Sequence, residues 1–135
     1  MKTKKFNLPS RIESVDAAAQ AAAEFATAAG FEEAALYAVD MAVRETVANA
    51  VKHGNEFDET KAVEIAFEDL PEGLQITVRD FGKGFAVDEI PDPTNQENLL
   101  KASGRGILFM RSFMNTVEWS NSAGGGMIVK MLKKR

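Results

Sequence analysis

The sequence predicts an α+β fold, a two-layer α/β sandwich in which three helices cover one face of a mixed, mostly antiparallel sheet. Two observations carry this expectation. The first half of the chain keeps a helical apolar period, and the second half switches to alternation with a period of two. Glycine and proline clusters punctuate the alternating runs where turns are needed.

Taken in order, Thr3 to Leu8 suit a short first strand. Ser10-Arg11-Ile12-Glu13 fits a capping box, in which the serine and glutamate side chains satisfy free amides of a first helical turn. The alanine-rich run Val15 to Ala29 favours helix on propensity, and Gly30 is suited to a left-handed stop. A second helix is predicted from about Glu32 to His53, with Leu36, Val39, Val43, Val47, Ala50 and Val51 on its apolar stripe and Gly54 as its stop. Val63, Ile65 and Phe67 then alternate with polar residues, Pro71-Glu72-Gly73 makes a turn, and Leu74, Ile76 and Val78 alternate again, which reads as a hairpin. Gly82-Lys83-Gly84 breaks that pattern. Ala86 to Ser103 is polar, contains Pro91 and Pro93, and reads as a long loop or lid. Gly104 to Met114 predicts a shorter third helix, and Thr116 to Ser120 with Met127 to Lys133 a closing hairpin over the turn Asn121 to Gly126. With no internal repeat and no linker, residues 1–135 read as one domain.

Bulk properties narrow the function. A chain of 135 residues is long enough for one domain with a real core. Its net charge of −4 and the absence of a basic cluster argue against nucleic acid as a partner. The basic ends, Lys2 to Lys5 and Lys130 to Arg135, are expected to be edge-strand or tail charges. Without cysteine there is no disulfide, zinc-thiolate site or thiol nucleophile, and the single histidine, His53, leaves no multi-histidine metal site. The segment MKTKKFNLPS lacks the apolar core of a signal peptide, and no apolar run approaches a membrane span. A soluble cytoplasmic protein is expected.

Three features could carry chemistry. Glu45, Asn49 and His53 recur every four residues on the second helix, so neighbours stand about 6 Å apart along the axis and nearly in line. They form either a solvated face or, given the small neighbours Ala38, Met41, Ala42 and Thr46, one wall of a pocket. Asp80-Phe81-Gly82-Lys83-Gly84-Phe85 follows a strand. It reads either as a plain turn or as an aspartate able to accept a hydrogen bond from an exocyclic amine, with glycines that let a planar ring approach. Ser103-Gly104-Arg105-Gly106-Ile107 opens the third helix and is either a flexible loop or a set of backbone amides facing anionic phosphate. It lacks the ending of a Walker loop and the βαβ setting of a dinucleotide fingerprint.

Their order and spacing resemble the GHKL superfamily, with its Bergerat (histidine-kinase-like) ATP-binding fold, from about Ile12 to the last strand. Within it the chain is most similar to the bacterial anti-sigma factor serine/threonine kinases, through Arg44-Glu45-Thr46-Val47-Ala48-Asn49-Ala50-Val51-Lys52-His53-Gly54, the Asp92-Pro93 pair, and Ser103 to Ile107. The resemblance implies ATP/ADP and Mg2+ as cofactors. It makes Asn49 a magnesium ligand and Asp80 the partner of the adenine amine, with Gly82, Gly84 and Phe85 shaping the base pocket. Gly104, Arg105 and Gly106 would close on the phosphates, with Ile107 also at the nucleotide and Lys52 or Lys83 adding charge. Glu45 stands at the position of the general base, while His53 is either a ligand contact or a helix end. Such proteins commonly carry threonine or serine at the start of the last strand to support the aspartate; here the stretch is Gly124-Gly125-Gly126-Met127-Ile128.

The function implied is an anti-sigma factor that phosphorylates a STAS-type anti-anti-sigma protein, binds a sigma factor and forms a homodimer. A nucleotide-dependent partner-switching module without catalysis is the alternative on the same fold. The catalytic domain of a two-component histidine kinase is disfavoured, because the only histidine lies inside the first motif.

Overall fold

The computed structural model describes residues 2–82, 113–122 and 125–135. In chain order these give β1 (Thr3–Pro9), α1 (Glu13–Ala28), α2 (Glu33–Asn49), a π-turn (Ala50–Gly54), β2 (Ala62–Leu70), β3 (Gly73–Arg79), β4 (Thr116–Asn121) and β5 (Met127–Lys134). The strands form one sheet in the order β1-β2-β3-β5-β4. The predicted third helix and the lid lie outside the described residues, apart from the helix's last two positions, Phe113 and Met114.

Alternation fixes which face of the sheet is buried. Val63, Ile65 and Phe67 of β2, Leu74, Ile76 and Val78 of β3, and Met131 of β5 all point to one side and are sealed from solvent. Against them pack Val39, Val43, Val47 and Val51 of the second helix and its extension, with Ala18, Ala22 and Ala26 of α1 in the same core. Alanines on α1 let the two helices lie close together. Phe67 anchors the outer corner, with the rings of Phe6 and Phe25 centred 5.6 and 5.4 Å from its own.

The sheet corrects the expectation of mixed pairing: every pair among the described strands is antiparallel. Two helices, not one, connect β1 to β2, so the chain re-enters the sheet running opposite to the strand it left. A parallel pair needs a single crossover. β1 is an edge strand, which suits its exposed Lys4 and Lys5, but β5 lies between β3 and β4, so its lysines are not edge charges. Arg135 instead ties the chain end inward, donating to Ala29 O at 2.9 Å and pairing with Asp69.

Local signals held in part. Gly30 adopts φ +91 and ends the α1 region as expected. The capping box does not form, and no side chain caps the first turn of α1. Ser10 donates instead to Lys61 O at 2.5 Å, a partner far along the chain. The second helix does reach Gly54, but its last turn widens to π geometry, and the left-handed residues that follow are Glu56 (φ 52) and Phe57 (φ 60).

Two substitutions separate core packing from local backbone strain. Phe67→Ala is expected to cost about 3–5 kcal/mol by opening a cavity. Gly30→Ala, whose new Cβ would meet nothing within 4 Å, costs only about 1 kcal/mol of left-handed strain. Urea unfolding of the two variants measures both, and equal losses would mean that Phe67 is not a core anchor.

Candidate functional site

The end of the second helix meets the end of β3, and this junction collects the residues of interest. Asp80 follows β3 directly and is only 7% exposed. Its backbone continues the pairing with β5, the Asp80 amide donating to Met127 O at 3.0 Å. Its carboxylate Oδ1 accepts from the amides of Gly82 at 3.0 Å and Met127 at 3.2 Å. The first of these closes an Asx-turn over Phe81. Burial pushes the Asp80 carboxyl above the ordinary aspartate range, and the amide bonds from Gly82 and Met127 and the charge of Lys61 oppose that push.

Glycines make the junction possible. A Cβ on Gly54 would stand 2.3 Å from Asp80 Oδ2, and one on Gly82 would lie 1.8 Å from Gly54 O. Gly126, at φ +92, would place a Cβ 2.0 Å from Asp80 O. No side chain fits at any of the three. Gly54 ends the helical run as expected and is also a point of backbone contact. Gly82 likewise serves close packing of backbone on backbone.

On the second helix, Glu45 and Asn49 are half-buried, and the Asn49 amide donates to Glu45 Oε1 at 3.4 Å. The four-residue spacing thus produces the contact it predicts. Of the small neighbours, Ala38, Ala42 and Thr46 are buried, and Met41 is half-buried. Thr46 donates to Ala42 O at 2.7 Å and lies 3.4 Å from Met131 Sδ. That face of α2 sits on the sheet because residues of this size let the helix approach it. Lys52 and His53 lie in the π-turn and are exposed. Gly84, Phe85, Gly104, Arg105, Gly106 and Ile107 fall outside the described residues, as does Lys83.

Asn55 and Ser10 were not legible as site residues. Asn55 is 1% exposed and donates to Ser10 Oγ at 2.8 Å and Ala62 O at 3.1 Å, while accepting from the Phe81 amide at 2.7 Å. Its partners lie up to 45 residues away, so no local pattern announces it. Met127 opens the last strand where the sequence predicts it, and it supplies a backbone amide to Asp80.

Elsewhere, a cavity of about 400 Å³ opens on the side of the sheet away from the helices, lined among others by Lys5, Asn7, Glu64, Thr77 and Arg79. It includes neither Asp80 nor any residue of the second helix. Among the described residues no group of three or more His, Cys, Asp or Glu side chains could cage a metal. None of the described helices is long and apolar enough to cross a membrane.

Comparison with known proteins agrees with this geometry. Residues 8–133 match the histidine kinase-like ATPase domain family. An anti-sigma F factor of Clostridium perfringens (strain SM101) is 35% identical over 98 residues, covering 71% of this chain and 70% of that protein. The serine-protein kinase RsbW of Oceanobacillus iheyensis is 24% identical over 126 residues, covering 89% and 80% respectively. A solved structure containing the RsbU and RsbW domains of a Mycobacterium tuberculosis protein superposes with a TM-score of 0.70 at 15% identity. The match covers 99% of this chain but 32% of that longer one, and shares the fold. The chain belongs to the histidine kinase-like ATPase domain family, on the branch of the anti-sigma factor kinases.

Proposed function

We propose that this protein is an ATP-dependent anti-sigma factor with serine/threonine kinase activity, which phosphorylates a STAS-type anti-anti-sigma protein and binds a sigma factor as a cytoplasmic homodimer. The observation that carries the nucleotide reading is the buried Asp80 carboxylate, held by the Gly82 and Met127 amides against the end of the helix that bears Glu45 and Asn49. A carboxylate is poorly placed there for stability and well placed to accept from the adenine amine. The family and the names of its relatives support ATP as the ligand and the kinase and anti-sigma roles.

The donor set suits magnesium held jointly by protein and phosphates rather than by a protein cage. Asn49 turns its amide nitrogen to Glu45, which keeps the amide oxygen for a hard cation. Bound magnesium supplies charge neutralisation at the phosphate oxygens. Glu45 accepts the proton of the attacking serine hydroxyl, whose oxygen bonds to the γ-phosphorus while the bond to the β-phosphate oxygen breaks and ADP leaves. The contact from Asn49 orients the carboxylate for that transfer. Gly104, Arg105 and Gly106 are assigned to the phosphates, and Gly84, Phe85 and Ile107 to the edges of the nucleotide site. Lys52 and His53, exposed in the π-turn that follows Asn49, are assigned peripheral contacts with the nucleotide.

Three measurements test this. With radiolabelled ATP and a STAS partner, Glu45→Ala is expected to lose label transfer by about a hundredfold or more while keeping nucleotide affinity. Binding of ATP and of the partner without any transfer by the wild type would leave the partner-switching module instead. Asn49→Ala is expected to abolish the part of ATP affinity that depends on magnesium, and an unchanged magnesium dependence would remove the metal assignment.

Asp80→Asn separates binding from stability. It is expected to weaken ATP by about 1–3 kcal/mol, through a mismatched partner for the amine. An aspartate with a raised folded pKa holds its proton more tightly folded than unfolded. Its contribution to stability is therefore best below the ordinary value of about 3.9 and is lost as pH rises through the folded pKa. The nucleotide-free variant should accordingly melt above the wild type at pH 7, and the gap should close as the pH falls below about 4. A wild type that melts higher at pH 7 would show that the buried charge is not a cost.

A further inference from the structure

Asn55 takes no part in the chemistry above, yet its buried amide donates twice and accepts once, toward residues at the ends of β1, β2 and β3. Its nitrogen reaches Ser10, just beyond β1, and Ala62, the first residue of β2. Its oxygen accepts from the Phe81 amide at 2.7 Å. Phe81 is the middle residue of the turn that Asp80 closes onto Gly82. The residue before Asn55 is Gly54, which lies against the Asp80 carboxylate. The two residues after it, Glu56 and Phe57, hold left-handed backbone at φ 52 and 60. Such strain in non-glycine residues persists only where the surroundings hold it, and Asn55 is an anchor at its start.

We propose that Asn55 is a positioning residue for adenine recognition: by holding the Phe81 amide it fixes the plane of the Asp80–Gly82 turn and so the direction of the Asp80 carboxylate. This rests on the reading of Asp80 as the adenine ligand. The two arms of the Asn55 amide act differently. The nitrogen arm joins β1 and β2 to the helix end, which is a matter of stability. The oxygen arm bears on the turn that aims the carboxylate. Ser10 shares only the first arm, through its bonds to Asn55 and to Lys61 O.

The test uses the ratio of affinities for ADP and for inosine diphosphate, whose base carries a carbonyl where adenine carries its amine. Loss of folded protein weakens both nucleotides by one factor and cancels from the ratio, whereas a misaimed carboxylate changes the ratio itself. Calorimetry on the full chain is expected to show wild type preferring ADP by about tenfold or more. Asn55→Ala should shrink that preference by about three- to tenfold. Ser10→Ala should lower the melting temperature yet keep the preference. If Asn55→Ala does not fold, Asn55→Ser is read in its place with the same expectation. A wild-type ratio retained in the Asn55 variant overturns the positioning role while leaving Asp80 as the adenine ligand. An equal loss in Ser10→Ala also overturns it, as a general effect of the network. Absence of any preference in the wild type overturns both readings.

Discussion

The contact of backbone on backbone between Gly54 and Gly82, with the Asp80 carboxylate packed against the same glycine, is the constraint on which the rest of the site depends. It joins the two layers of the fold at one point. Glu45 and Asn49 lie upstream on the helix, roughly 2.5 and 1.4 turns before the contact, and Asp80 directly follows the strand that leads to it. Their relative placement is then set by two short, stiff segments rather than by a loop. The valine row of the second helix, seated on Val63, Ile65, Ile76 and Val78, keeps the layers in register behind the contact.

Holding a carboxylate there has a cost. Asp80 is buried, and the bonds that support its Oδ1 among the described residues come from the backbone. Backbone donors are fixed by the β3–β5 register and by the Asx-turn, so they need no particular side chain at the start of β5. At Met127 the amide does the holding, and the side chain is free to be apolar. Burial pushes the Asp80 carboxyl upward, so holding its charge there costs stability.

Much of the fold was legible because its signals are local. The alternation around Pro71–Gly73 and around the last turn gave β2, β3, β4 and β5 nearly to the residue, and the valine spacing gave the second helix. Glu45 and Asn49 were legible for the same reason, since four residues on a helix are neighbours whatever the fold. The misreadings share one cause, a partner distant in sequence. Ser10 looks like a cap until Lys61 and Asn55 arrive; Gly54 ends the helix as expected, but its contact with Asp80 has no local sign. The antiparallel pairing of β1 with β2 is of the same kind, because it follows from the two helices between them and not from either strand's own residues.

A site assembled at a junction of layers also explains where its supporting residues must be. A single strand end cannot aim a side chain, because the backbone beyond the last ladder bond is free to rotate. Here that bond is Asp80 to Met127, and the next amide, of Phe81, would have no partner in the sheet. Asn55 supplies one from the helix side, which extends the order of the sheet one residue past its own hydrogen bonding. The same side chain reaches back to Ser10 and Ala62, so the turn is referenced to β1 and β2 as well as to the helix. With Gly54 giving contact and Asn55 giving direction, two adjacent residues at the helix end convert a frayed strand terminus into a fixed surface.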